Sequence, residues 1–216
     1  MSLLPVSKVR DLGVILDDEL TMTAHVNHVV SGSFYQLRQL RSVRRCLPFD
    51  ARRALVTAFI SSRLDYCNAT LYDVAAGNIH RLQVVMNAAA RLVTKTGRYE
   101  HITPVLRDLL HWLPVQQRII FKIAVLAFNC IRGTGPVYFN YVCVPLASIP
   151  GRTSLQAADR GDLLVPATKT KIGGRSFRIA APTVWNSLPL HLHDNTISER
   201  QFRSGLKTHL FNLAYK

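Results

Sequence analysis

The chain has 216 residues, 48% of them hydrophobic and 19% charged, and its 27 lysines and arginines exceed its 13 acids to give a formal charge of +14. That apolar fraction supports a packed core and excludes global disorder, and no uncharged apolar run approaches the ~18 residues that mark a membrane span. Cys46, Cys67, Cys130 and Cys143 form no Cys-x-x-Cys pair, which argues against a zinc ribbon or disulfide scaffold and for a reducing, intracellular setting in nucleus or cytoplasm.

The opening KVRDLGVIL, Lys8 to Leu16, is strand-compatible, with Gly13 marking a bend or bulge, so one or two short strands are expected there. From Thr23 the apolar spacing becomes helical through Val26, Val30, Phe34, Leu37 and Leu40, and Pro48 stops the helix. Asp50 reads as the N-cap of a second helix whose inner face carries Leu55, Ala58, Phe59 and Ser62. Asn78 reads as the cap of a third, with Ile79, Leu82, Met86, Ala89 and Val93 as its seam and Gly97 as its end. Thr103-Pro104 opens a short helix, and Pro114 a longer one to Ile131 that is apolar nearly all round and stops at Gly133. A short helix over 137–142 follows. Beyond Pro145 Gly, Pro, Ser and Thr become frequent. Residues 163–165 and 176–179 read as short strands turned by Gly173-Gly174, and Pro182 starts one helical turn. Ser198-x-x-Gln201 is a capping box opening a last helix with Phe202, Leu206, Leu210 and Leu213 as its stripe. The expected class is mainly α: a helical bundle with a few short strands at the N-terminus and in the C-terminal segment.

The excess charge points to a polyanion. Arg38, Arg41 and Arg45 stand at i, i+3 and i+7, with Arg44, Arg52 and Arg53 close by and Asp50 the one acid in that stretch. Such a stripe can track a phosphate backbone; the plainer reading is a solvated helix face. Lys169, Lys171, Arg175 and Arg178 flank the Gly173-Gly174 turn, near Phe177 and Trp185. There aromatics can stack bases or serve as core.

Asp17-Asp18 resembles a magnesium-holding pair, but polymerase sites need a further upstream carboxylate and only Asp11 precedes them. His25 with His28, and His191 with His193, are sparse metal pairs with no evident third ligand. There is no Gly-x-Ser-x-Gly elbow and no phosphate-binding Gly-Lys loop. No catalytic residue, cofactor or metal is expected.

Several phrases go further. LGVILDDELTMTAHV at 12–26, AFISSRLDYCNATL at 58–71, RLQVVMNAAARLV at 81–93 and HITPVLRDLLHWLPVQQRIIFKI at 101–123 resemble, in order, segments of LINE-type, non-LTR retrotransposon reverse transcriptases. RSFRIAAPTVWNSLP at 175–189 and QFRSGLKTHLF at 201–211 continue the match. The resemblance implies that residues 1–22 are a remnant of palm strands, that 23–145 form a helical thumb, and that 146–216 are a C-terminal segment. The family's aromatic-x-Asp-Asp motif and its partner aspartate have no counterpart here. The resemblance therefore implies a non-catalytic fragment that binds RNA or DNA, as template–primer, through its phosphate backbone and has no membrane role. Arg38, Arg41, Arg45 and Arg52 would make the main contacts, and Lys169, Lys171, Arg175 and Arg178 a second set. The alternatives are an interaction module with no activity of its own and, less supported, a cryptic hydrolase.

Overall fold

The computed structural model describes residues 6–139, 141–151 and 156–216. The chain divides into two units, residues 1–118 and 119–216. The fold is mainly α, and its one sheet among the described residues is two-stranded.

In the first unit, β1 (Lys8–Asp11) pairs antiparallel with β2 (Val14–Asp17). Leu12 and Gly13 form the connection, both at positive φ (44° and 85°). That is the type I′ geometry whose twist matches the strands and which favours Gly at its second position. The Tyr66 hydroxyl donates to the Leu12 carbonyl (2.6 Å) and locks this turn to the bundle.

Three helical runs follow. α1 (Thr23–Val43) ends in a 3-10 turn, Arg44–Cys46. α2 (Phe49–Val56), a π-turn (Thr57–Ser61) and α3 (Ser62–Asp65) make one continuous return. α4 (Ala76–Thr94) closes the bundle. At one end Asn78 Nδ2 of α4 donates to the Thr21 carbonyl and Thr23 Oγ1 beside the start of α1. At the other end Arg41 and Arg44 lie across a furrow from Arg91 and Leu92. α1 and α4 are therefore parallel neighbours, with α2–α3 running back between their ends: up, down, up.

Several sequence expectations shift here. Asp50 lies in the first turn of α2, whose N-cap is Pro48. Asn78 is inside α4, buried, and spends its amide on the start of α1. α4 ends at Thr94, with Lys95 rather than a glycine taking the left-handed cap (φ 63°). The inner residues of the return are Arg52, Val56, Ile60 and Leu64, whereas Ala58, Phe59 and Ser62 face outward. An i+4 repeat drifts about 40° per step in a 3.6-residue helix. The π-turn, with its wider i→i+5 bonding, takes up that drift and keeps these four on one face. On α1 the inner face is Val26, Val29, Ser33, Leu37 and Leu40, so Val30 and Phe34 are only half-buried.

A short helical stretch around a π-turn (Val105–Leu109) precedes α5 (Val115–Ile131), as Thr103-Pro104 and Pro114 anticipate, and Gly133 (φ 67°) follows the helix. Gln83 of α4 accepts the Val115 N–H through Oε1 (2.9 Å), satisfying a first-turn donor of α5. Arg118 bonds Asp65 (2.8 Å) at the end of α3.

The second unit holds most of α5, a 3-10 turn (Val137–Phe139), α6 (Gln156–Asp159), α7 (Lys171–Gly174), α8 (Phe177–Asn186) and α9 (Glu199–Ala214). Of the expected 137–142 helix, Asn140 lies outside the described residues. Where strands were expected, Leu163 makes one isolated bridge to Pro145, and Ser176 caps α8, which begins at Phe177. Gly173 belongs to α7; a Cβ there would run into Thr168 Oγ1.

The core of this unit is aromatic. Phe128 of α5 stacks on Phe202 of α9 (centroids 4.3 Å apart), and Trp185 stacks on His193 (4.6 Å). Trp185 Nε1 donates to the Gly161 carbonyl, and the Asn186 side chain both accepts from the Leu163 N–H and donates to its carbonyl. The WNSLP phrase is thus an internal clamp. The capping box at Ser198 and Gln201 is present. Phe202, Leu206 and Leu210 are buried as expected, while Leu213 is exposed.

Candidate nucleic-acid interface

The polarity of the first unit sets its electrostatics. No Asp or Glu occurs between Glu19 and Asp50 or between Asp73 and Glu100, so neither α1 nor α4 carries an acid. Their cations gather toward the C-terminal ends, as Arg38, Arg41, Arg44 and Arg45 on one run and Arg91, Lys95 and Arg98 on the other. Parallel packing brings those two ends together. Helix C-termini attract cations, but each offers only about −0.5 of a charge. Two ends therefore offset about one of these cations and leave a strongly positive rim.

Between the helices at this end lies a furrow of about 650 Å³. Phe34, Val84 and Ala88 supply apolar lining, and Arg41, Arg44, Arg91 and Arg98 the charge. Arg91 is held in place, its Nε on the Gly97 carbonyl (3.2 Å) and its Nη2 on the Glu100 carbonyl (3.0 Å). A guanidinium has five N–H donors, so others remain after these two bonds. Glu100 turns its carboxylate to the Gly97 N–H (2.8 Å). Arg98 lies 5.9 Å from the ring of Tyr99, which is 93% exposed.

The sequence-based set is only partly brought together. Arg38 and Arg41 are exposed on α1, but Arg45 is in the 3-10 turn beyond its end, so the three do not continue one α-helical stripe. Arg52 does not join them at all. It is 6% exposed, its Nε donates to the Val93 carbonyl (2.8 Å) and its Nη1 to the Leu47 carbonyl. Its role is to cap the C-terminus of α4 from within, because the last four carbonyls of a helix lack intrahelical partners. Arg91 and Arg98 were not legible as partners of Arg41 and Arg44, some fifty residues upstream; the shared absence of acids from both helices was the available signal.

In the second unit Lys169, Lys171 and Arg178 are exposed and Arg175 is half-buried, spread over the approach to α7 and the start of α8. The expected aromatic partners are committed elsewhere. Trp185 is buried, and Phe177 packs against Phe139 (4.6 Å).

The candidate catalytic and metal residues also have structural work. Both carboxylate oxygens of Asp17 accept from Thr21, one from its N–H (2.6 Å) and one from its hydroxyl (3.2 Å). His25 is buried and accepts the Ile15 N–H at Nδ1. Burial, with a smaller contribution from His28, lowers its pKa below the ordinary value. His193 sets its ring nitrogens against the carbonyls of Arg160 and Trp185. Among the described residues no three His, Cys, Asp or Glu side chains are grouped to hold a metal, and no helix is long and apolar enough to cross a membrane. Comparison of the chain with protein-family models, with curated proteins and with solved structures yields no match.

Proposed function

We propose that this chain is a non-catalytic, nucleic-acid-binding fragment of the LINE-type reverse-transcriptase kind, engaging RNA or DNA through phosphate contacts. The observation that carries the reading is the acid-free parallel pair α1–α4 with its arginines gathered at one end. Arg38, Arg41 and Arg45 supply the outward contacts, and Lys169, Lys171, Arg175 and Arg178 a second, weaker patch. The non-catalytic part of the reading is supported by the lack of an aromatic-x-Asp-Asp motif in this sequence, and Asp17 is engaged with Thr21.

Binding of this kind is dominated by counterion release. With about four to six phosphates contacted, log K against log salt falls with a slope of about −4 to −5 on duplex DNA. Replacing Arg38, Arg41 and Arg45 together by Gln lowers affinity on all sequences alike and makes the slope shallower by about one per lost contact. Template-dependent primer extension by the pure chain would contradict the non-catalytic part. Salt-independent behaviour, with no measurable binding in the parent, leaves the interaction-module reading instead.

A further inference from the structure

Resting on the reading of the chain as a nucleic-acid binder, we propose that the furrow between the C-terminal halves of α1 and α4 is a site for unpaired, single-stranded nucleic acid. On α1 the polar Ser33 is buried, with its Oγ lacking a partner, while the larger and apolar Phe34 is left half-buried at the furrow. Local rules that fail in this way concentrate at functional sites.

Shape and charge then select the ligand. Packed helices have axes about 8–10 Å apart, so the depression between them admits one backbone and its bases rather than a double helix. A volume of about 650 Å³ is that of a small-ligand pocket. A duplex lying across this end would touch the rim arginines and leave the apolar floor empty. An unpaired strand fills both parts, with phosphates on Arg41, Arg44, Arg91 and Arg98 and a base against Phe34. Tyr99, exposed beside Arg98, offers a second platform at the rim. A cationic groove that tracks the backbone, with aromatic faces that take bases, is the general solution for binding single strands without sequence preference. Glu100, close to Arg98 in the chain, turns its carboxylate to the Gly97 N–H.

The test uses the full chain and a fluorescently labelled oligouridylate of about ten nucleotides, with unlabelled single strands and a blunt duplex of the same length as competitors. Two substitutions at exposed positions, Val84→Glu, which adds a charge, and Arg98→Glu, which reverses one, each place a carboxylate at the furrow without touching the core. Unchanged thermal melts confirm that both variants fold. The expected result is that the single strand competes better than the duplex and that each variant loses at least about tenfold in single-strand affinity. Arg38→Gln, outside the furrow lining, weakens single strand and duplex by the same modest factor. If the duplex competes as well as the single strand, or Val84→Glu binds as the parent does, the furrow is not the site although the chain remains a nucleic-acid binder. If no salt-dependent binding to either probe is found, the functional reading and the furrow proposal fall together.

Discussion

Arg52 offers the sharpest separation of a structural cation from a binding one. Its guanidinium makes two charge-assisted bonds to backbone carbonyls, at Val93 near the end of α4 and at Leu47 just before α2. Each bond to a charged donor contributes about 1.5–3 kcal/mol. Arg52→Ala removes both, strands two carbonyls and opens space under α2. The expected loss is therefore about 3–5 kcal/mol. With a urea m-value of about 2 kcal/mol/M, the midpoint falls by roughly 2 M, read by circular dichroism. Arg52→Lys, with one ammonium for two divergent carbonyls, falls between parent and Ala. Under the proposed function, the salt slope of nucleic-acid binding, measured where the variant is still folded, stays unchanged. An Arg52→Ala protein that melts with the parent while its salt slope becomes shallower by one contact would show that the side chain reaches solvent and phosphate, and would refute this assignment.

Three further outcomes are expected from the same unit. Ser33→Ala removes a buried hydroxyl that lacks a partner and should raise stability by up to about 1 kcal/mol, seen as a higher urea midpoint; a lower one would mean that the hydroxyl has a partner. Met86→Asp puts an unpaired carboxylate at a site only 2% exposed and should cost more than about 3 kcal/mol, so a melt within a degree or two of the parent would show that face of α4 to be open. His25 has a lowered pKa in the folded chain because burial disfavours its charged form, helped by His28. The unfolded chain thus binds more protons as pH drops below about 6.5, and stability is lost through the interval from there down to the folded value. His25→Asn should flatten that part of the midpoint-against-pH curve, and an unaltered curve would assign the effect to other groups, His209 being the first to test because its pKa is lowered too.

The elements most legible in the sequence were those announced by local chemistry. The Pro114 and Gly133 limits of α5, the capping box of α9 and the bend at Gly13 all depend on residues a few positions apart, although Leu12, read as part of a strand, belongs to the turn. Faces were harder. The return through α2 and α3 follows an i+4 repeat because it contains a π-turn, which no propensity rule announces, so the inner set moved from Phe59 to Ile60. Residues 176–179 look like a strand and precede a proline, yet they start α8 because Trp185 and Asn186 are anchored to the segment at Gly161 and Leu163. For the candidate interface, the arginines of α1 were visible as a cluster. That Arg52 points inward, and that Arg91 and Arg98 stand opposite Arg41 and Arg44, depended on which ends of α1 and α4 meet, a property of the assembled bundle.

The up–down–up course of the first unit also governs the order in which it can assemble. Asn78 meets Thr21 across 57 positions of chain and Arg52 meets Val93 across 41. Closing loops of that length costs little more than closing ones half as long, and the return run adds contacts to both α1 and α4 beside the direct ones at Asn78. The stretch through Val56, Ile60 and Leu64 is then the bridge on which the outer pair condenses. If that bridge forms early, lesions in it should slow refolding, whereas lesions along the furrow should chiefly hasten unfolding.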